Sequence, residues 1–167
     1  MSHQEHREQS PQSVNCAVVI ISDSRTEQDD ESGKLIRRKL ADNGHREMAY
    51  ALLKNDAEAI KRKMGELLGQ AELQVVIASG GTGISYRDVT VETIEAMLEK
   101  KLDGFGELFR SLSYQEIGTA SVMSRATGGV VGGKVILCLP GSLGAATVAM
   151  DKIILPEMGH MVREASR

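Results

Sequence analysis

The sequence predicts a single α/β domain, a three-layer α/β/α sandwich built on a mostly parallel sheet. Four short apolar runs, of the kind buried on both faces of a sheet, alternate with segments in which apolar residues recur at helical spacing. The chain has 167 residues, 41% of them hydrophobic, which is enough for one compact core. Because parallel strands need crossover connections, which are nearly always right-handed, this alternation indicates a doubly wound sheet.

The start of the chain differs from the rest in composition. Residues 1–13 are polar, and we expect them to form a disordered tail in front of one folded domain over residues 14–167. They contain no run suited to a signal peptide, and no later run reaches the about 18 apolar residues of a membrane span. The formal net charge is −3 and no Lys/Arg block exceeds three residues, which argues against nucleic-acid or membrane binding. The sequence therefore predicts a cytoplasmic protein.

The predicted strands and helices alternate in chain order. The strands cover residues 16–22, 48–53, 73–79 and 134–140. The helices cover residues 32–44, 55–70, 90–101 and 145–155. Gly44 is expected to end the first helix, Thr90 to cap the third, and Pro156 to end or kink the last.

Other apolar residues are assigned to the interior of the fold. Cys16 and Cys138 each lie inside a predicted strand, so we expect buried, reduced thiols. The helical stripe of Phe105, Leu108, Phe109 and Leu112 fits either core packing or a subunit interface, and both interpretations stay open.

Four loops follow the predicted parallel strands, and ligands bind at this edge in such sheets. The loops are residues 22–25, 55–56, 79–88 and 140–142. In the third loop, Gly80, Gly81 and Gly83 allow backbone N–H groups to approach a phosphate or a flat ring closely, and Thr82 adds a hydroxyl. The alternative is a tight turn that merely requires glycine.

Two carboxylates are expected at the same edge. Asp88 follows the glycine loop, and Asp56 follows the neighbouring strand. Paired carboxylates are a natural way to hold Mg²⁺ against the phosphates of a nucleotide. The alternative for Asp56 is a helix N-cap.

Several other motifs are interpreted as uninformative. Residues 128–135 match the opening of a Walker A loop, but Val135 replaces the required Ser or Thr and a strand follows, so we predict a turn. No GxGxxG is present. His3 and His6 form an HxxH in the tail, while His45 and His160 have no clustered partners in the sequence, so we predict no zinc site.

The motifs "SGGTG", "RDVT", "GFGELFRSLSYQEIGTASVMSRATGG" and "LPGS" occur in an order and spacing that resembles the MoaB/MogA family of molybdenum cofactor biosynthesis proteins. The likeness covers residues 15–163. It implies a three-layer α/β domain, commonly a homotrimer or a dimer of trimers, that binds molybdopterin and MgATP. It also implies transfer of AMP to the terminal phosphate of the pterin, and a downstream molybdenum-insertion protein as a possible partner.

The resemblance also implies roles for individual residues. Asp56 and Asp88 match the catalytic, magnesium-binding aspartates of the family. The residues expected to contact the substrates are Ser22, Asp23, Ser79, Gly80, Gly81, Thr82, Gly83, Glu107, Pro140, Gly141 and Ser142. For Glu107 the alternative is a solvated carboxylate at a helix start, and for residues 140–142 a strand-to-helix turn with Ser142 as cap.

Two other functions are retained beside the adenylyltransferase. The first is a non-catalytic molybdopterin-binding or carrier protein, whose loops only dock the pterin. The second is a purely structural interaction domain. A carrier has no need of two acids beside phosphates, so the presence of both aspartates favours the enzyme.

Overall fold

The computed structural model describes residues 2–167 as one α/β domain with a central six-stranded sheet. The strands are β1 Asn15–Ile21, β2 Arg46–Leu53, β3 Val75–Ser79, β4 Lys100–Lys101, β5 Thr127–Val131 and β6 Lys134–Leu139. The α-helices are α1 His3–Glu8, α2 Glu31–Asp42, α3 Ala57–Leu68, α4 Thr90–Glu95, α5 Asp103–Ile117, α6 Leu143–Ala149 and α7 Leu155–Ala165. A 3₁₀ turn, Gly118–Met123, follows α5, and a π turn, Met150–Ile154, joins α6 to α7.

The strand order is β2-β1-β3-β6-β5-β4, and the first four strands are parallel. These are the four predicted strands, so the predicted fold class is confirmed. The antiparallel strands β5 and β4 were not predicted. The Walker-like stretch forms the β5–β6 hairpin, with Gly132 and Gly133 in left-handed conformations at its tip (φ 56° and 76°), so the rejection of a P-loop is confirmed.

Helices cover both faces of the sheet and enclose two apolar cores. Along β1, alternate residues contribute to each: Cys16, Val18 and Ile20 pack on the face covered by α2, α5, α6 and α7. Ala17 and Val19 pack on the opposite face, under α3 and α4. Residues that alternate between two cores in this way explain why β1 is apolar throughout. In the described chain, Cys16 and Cys138 are buried free thiols, as predicted.

The N-terminal segment, for which the sequence predicts a disordered tail, contains a helix. Residues His3–Glu8 form α1, with Ser2 and Glu5 in a reciprocal capping box. The helix lies against α7, where Arg7 pairs with Glu157. The polar composition of this segment therefore reflects contacts with polar groups of α7, which a short-range pattern does not reveal.

His160 also differs from its interpretation as an isolated histidine. Its ring lies 5.3 Å from that of His3 and 6.1 Å from that of His6, both edge to face. Helices α1 and α7 are far apart in the sequence but pack together in space, which explains why their histidines were not recognised as neighbours.

Two predicted helix boundaries are wrong. Val89, and not Thr90, is the N-cap residue of α4, and no side chain of residues 2–167 caps that helix. Pro156 does not end the helical segment: a π turn directly precedes α7 and Pro156 falls in the first turn of α7, where no N–H is needed. Within the α5 stripe, Phe105 and Phe109 are buried, while Leu108 is 47% exposed.

We predict that Gly65→Ala stabilises the protein. Gly65 is exposed in the middle of α3, and an added Cβ would meet no described atom within 4 Å. Alanine restricts the unfolded chain and favours the helix by about 0.5–1 kcal/mol. Urea unfolding should show a higher midpoint with an unchanged slope; a lower midpoint would contradict this prediction.

Candidate functional site

A cavity of about 730 Å³, the main cavity, lies at the carboxyl ends of β1, β3 and β6. It opens beside the boundary between β1 and β3, where successive crossovers leave in opposite directions. Its volume is within the range of small-molecule sites. The loops lining it contribute Ser22, Asp23, Ser24, Arg25, Asn55, Gly80, Gly81, Thr82, Gly83, Asp88, Pro140, Gly141 and Ser142. Helix α5 contributes Phe109, Ser113, Glu116 and Ile117.

The glycine loop adopts a backbone that side chains would not permit. Gly80 has φ 103°, and a Cβ there would lie 2.1 Å from the carbonyl oxygen of Ile21. Gly81 has φ 66°, and a Cβ at Gly83 would lie 2.6 Å from Asp88 Oδ2. The glycines are therefore required by close approach of the β1 end and of Asp88.

Three carbonyl groups of this loop accept hydrogen bonds, one from Thr90 and two from Arg125. Thr90 N–H donates to the carbonyl of Gly81 at 3.1 Å. Arg125 donates from Nε to the carbonyl of Thr82 at 3.0 Å and from Nη2 to that of Gly83 at 2.6 Å. Arg125 is itself held by Glu92, whose pKa lies below its usual value mainly because of that hydrogen bond.

This arrangement orients the N–H groups that follow. In a planar trans peptide, the N–H of one residue points opposite to the carbonyl of the residue before it. The N–H groups of Thr82, Gly83 and Ile84 consequently point away from Arg125 and Thr90. Successive backbone N–H groups with one orientation form a binding surface for anions such as phosphate.

The opposite wall is built on the end of β6. The Gly141 carbonyl accepts hydrogen bonds from Arg25 Nη2 at 2.8 Å and from Ser32 Oγ at 2.9 Å. Ser142 caps α6 by accepting from Ala145 N–H at 3.1 Å. Arg25, predicted only as part of the first loop, thus places a guanidinium group at the cavity.

Two aspartates line the cavity, but they are not the predicted pair. Asp88 accepts a hydrogen bond from Ser85 N–H at 3.2 Å. Asp23 accepts from Asn55 N–H at 2.9 Å, and this bond, with a smaller contribution from Arg87, holds the pKa of Asp23 below its usual value. The cavity therefore combines carboxylates with the Arg25 guanidinium.

Asn55 Oδ1 and Thr90 Oγ1 are buried polar atoms that have no hydrogen-bond partner among residues 2–167. Both lie beside Gly81: an added Cβ there would be 2.3 Å from Asn55 Oδ1 and 2.2 Å from Thr90 Oγ1. Buried polar atoms are normally paired with protein, water or a ligand. With the Asp88 carboxylate, the Asn55 amide oxygen supplies oxygen donors of the type that Mg²⁺ prefers.

The structure does not place Asp56, the second predicted metal ligand, in the lining of the cavity. Asp56 is exposed, lies outside the cavity lining, and caps α3 by accepting from Ala59 N–H at 3.0 Å. The alternative given for this residue is therefore confirmed. Asn55, one residue earlier, faces the cavity because successive residues of an extended segment point in opposite directions.

We accordingly predict that Asp56→Ala affects stability and leaves ligand binding unchanged. Loss of the cap should lower the free energy of unfolding by about 1 kcal/mol. Asp56→Ser, which keeps a capping oxygen, should recover most of it in urea unfolding. A loss of ligand affinity in the alanine variant would contradict the placement of Asp56 outside the site.

Two further predicted contact residues, Ser79 and Glu107, lie outside the lining of the main cavity. Glu107 is exposed and lines a separate cavity with Arg110 and Arg125. Side chains two positions apart on a helix differ in direction by about 200°. Glu107 therefore faces away from Phe109, which is buried and lines the main cavity. The carboxylate that α5 contributes to this cavity is that of Glu116. Ser79 is buried, and its hydroxyl donates to the Pro140 carbonyl at 3.2 Å. This hydrogen bond links the end of β3 to the end of β6.

The fold and cavity together define a class: a doubly wound α/β domain with a ligand site at its topological switch point. Comparison with known proteins then identifies the family. The family model for the probable molybdopterin binding domain matches residues 17–160, and the chain belongs to this family. In the described part of the chain, no helix is long and apolar enough to cross a membrane.

Curated relatives and solved structures agree with this assignment. The chain is 46% identical to molybdenum cofactor biosynthesis protein B of Bacillus cereus over 168 residues, covering 100% of this chain and 99% of the relative. A crystal structure of molybdenum cofactor biosynthesis protein B matches with a TM-score of 0.90 at 46% identity, covering 94% and 98% of the two chains. The tungsten cofactor synthesizing protein MoaB from Pyrococcus furiosus matches with a TM-score of 0.87 at 34% identity, covering 95% and 100%.

Proposed function

We propose that this protein acts in molybdenum or tungsten cofactor biosynthesis by adenylylating molybdopterin with MgATP. The observation that carries the proposal is the glycine loop of the main cavity, whose oriented N–H groups lie beside a carboxylate and two unpartnered buried oxygen atoms. Such a site suits a phosphorylated ligand together with a divalent cation. The family assignment supports a pterin as that ligand.

In the proposed reaction, an oxygen of the pterin phosphate attacks the α-phosphorus of ATP. A new P–O bond forms, the bond between the α-phosphorus and its bridging oxygen breaks, and pyrophosphate leaves with the electron pair. The N–H groups of Thr82 and Gly83 hold phosphate oxygens, and Arg25 offsets negative charge at the opposite wall. Asp88 and Asn55 Oδ1 would hold Mg²⁺, which neutralises charge on the phosphates when bound.

Product analysis tests the proposal. Purified protein is incubated with molybdopterin and MgATP, and adenylylated pterin and pyrophosphate are quantified together. Both products should appear in equal amounts and require all three components. Pterin binding without either product would overturn the transfer step.

One observation favours a binding protein as the second candidate. The argument from the predicted pair of aspartates weakens, because Asn55 stands at the cavity where the sequence predicts Asp56, and the second aspartate there is Asp23, which is already bound to the Asn55 N–H. An amide offers one neutral oxygen to a cation in place of a carboxylate. In a binding protein, molybdopterin alone should raise the melting temperature and MgATP should add nothing, since only ligands of the folded state stabilise it.

The proposed oligomer remains a homotrimer or a homohexamer. Exposed apolar side chains near the cavity, among them Ile117, Val122 and Met123, are compatible with such an interface. Light scattering on the purified protein distinguishes the two assemblies from a single chain of 18.1 kDa.

A further inference from the structure

Helices α1 and α7 bring three of the four histidines of the chain together, at a distance from the main cavity. His3 and His6 are one turn apart on α1, so they share a face. Glu157, His160 and Glu164 are spaced by three and four positions on α7, so they also share a face. The two faces meet where the chain ends pack.

The side chains form two overlapping groups with His160 in common. In one, the potential ligand atoms of His3, Glu157 and His160 all lie within 4.8 Å of one another. In the other, those of His6, His160 and Glu164 do. Imidazole nitrogen together with carboxylate oxygen is a ligand set for Zn²⁺ and similar divalent transition metals.

The second group is occupied by arginine. His6 Nδ1 lies 3.1 Å from Arg163 Nη1, and Glu164 pairs with Arg163 at 2.5 Å and with Arg167 at 2.8 Å. The Arg163 side chain is only 15% exposed and also donates to Gln9, so it is held in place. A cation there would have to displace a guanidinium group that is held by His6, Gln9 and Glu164.

In the first group, the side chain that competes with an ion is an exposed arginine. Glu157 pairs with Arg7, whose side chain is 49% exposed and can turn into solvent. His160 Nδ1 lies 3.1 Å from Glu157 Oε2, so these two side chains are already oriented toward each other. His3 is exposed at the edge of the cluster, where an ion can enter.

We propose that His3, Glu157 and His160 bind one divalent transition-metal ion of the Zn²⁺ class, with water completing its shell. The ion would join α1 to α7 across the chain ends. No residue of this group lines the main cavity, so the site is independent of the proposed adenylylation.

Calorimetric titration of the full, untagged chain with ZnCl₂, and visible absorption with Co²⁺, test the proposal. We expect one ion per chain and a rise in melting temperature, since the ion binds only the folded arrangement. His160→Ala should abolish binding, and His3→Ala should weaken it about tenfold or more. Circular dichroism of the metal-free variants verifies that each one is folded.

His6→Ala and His45→Gln serve as matched controls. His6 belongs to the arginine-occupied group, and His45 lies away from the cluster, where its Nδ1 accepts from Val14 N–H at 3.1 Å. Both variants should keep wild-type affinity for Zn²⁺. Unchanged binding in His160→Ala, or loss in His6→Ala with retention in His3→Ala, would overturn the proposed ligand set.

Discussion

Replacing Gly80 by alanine is expected to lower the free energy of unfolding by about 2–6 kcal/mol, combining backbone strain with overpacking. Gly80 has φ 103°, a region that residues with a Cβ rarely adopt. The new Cβ would lie 2.1 Å from the carbonyl oxygen of Ile21, which belongs to β1 and cannot rotate away as a side chain could. Relief of this clash requires separating the β1 and β3 ends.

Gly44→Ala is the matched control for this prediction. Gly44 also has a positive φ, of 79°, but among the described residues nothing lies within 4 Å of a Cβ built there. Its replacement should therefore lower the free energy of unfolding only by the cost of placing alanine in a left-handed conformation, about 1–2 kcal/mol. Urea unfolding of both variants measures the difference, and equal losses would show that the Ile21 clash is relieved without cost.

The parallel half of the fold was predictable because each central strand is buried on both faces. Val75–Ser79 is apolar almost throughout, and such runs are distinctive in a sequence. The antiparallel half was not, since β4 has only two residues and β5 begins with Thr127 and two glycines. Its pairing depends on a hairpin to β6 and not on local propensity.

The loops of the site were predictable from topology. Which side chains of these segments face the cavity was not, because that depends on where each helix begins and on which of its faces is buried. Asn55 and Asp56 are adjacent, and only the start of α3 decides which one caps the helix. Glu107 and Glu116 are both acidic residues of α5, and the burial of Phe109 decides which faces the cavity. Arg125 is more than thirty positions from the loop that it holds, so sequence proximity gives no signal for its role.

Asp88→Asn is expected to lower the rate of molybdopterin adenylylation by about 100-fold or more, the effect typical of removing one group that stabilises a transition state. Asparagine has nearly the same shape, and its side-chain oxygen can still accept the hydrogen bond from Ser85 N–H. The fold and the glycine loop should therefore persist. What is lost is the negative charge offered to a cation beside the phosphates.

The measurement is the initial rate of adenylylated pterin formation, with pterin affinity determined separately. Asp56→Asn is the control, because it makes the same change of charge at an exposed helix cap outside the cavity, and its rate should match that of the wild type. Loss of rate with retained pterin binding in Asp88→Asn alone would assign the carboxylate to the transfer step. Full activity of this variant would contradict the assignment, because the reaction would then proceed without a charged group at the position where the cavity holds one.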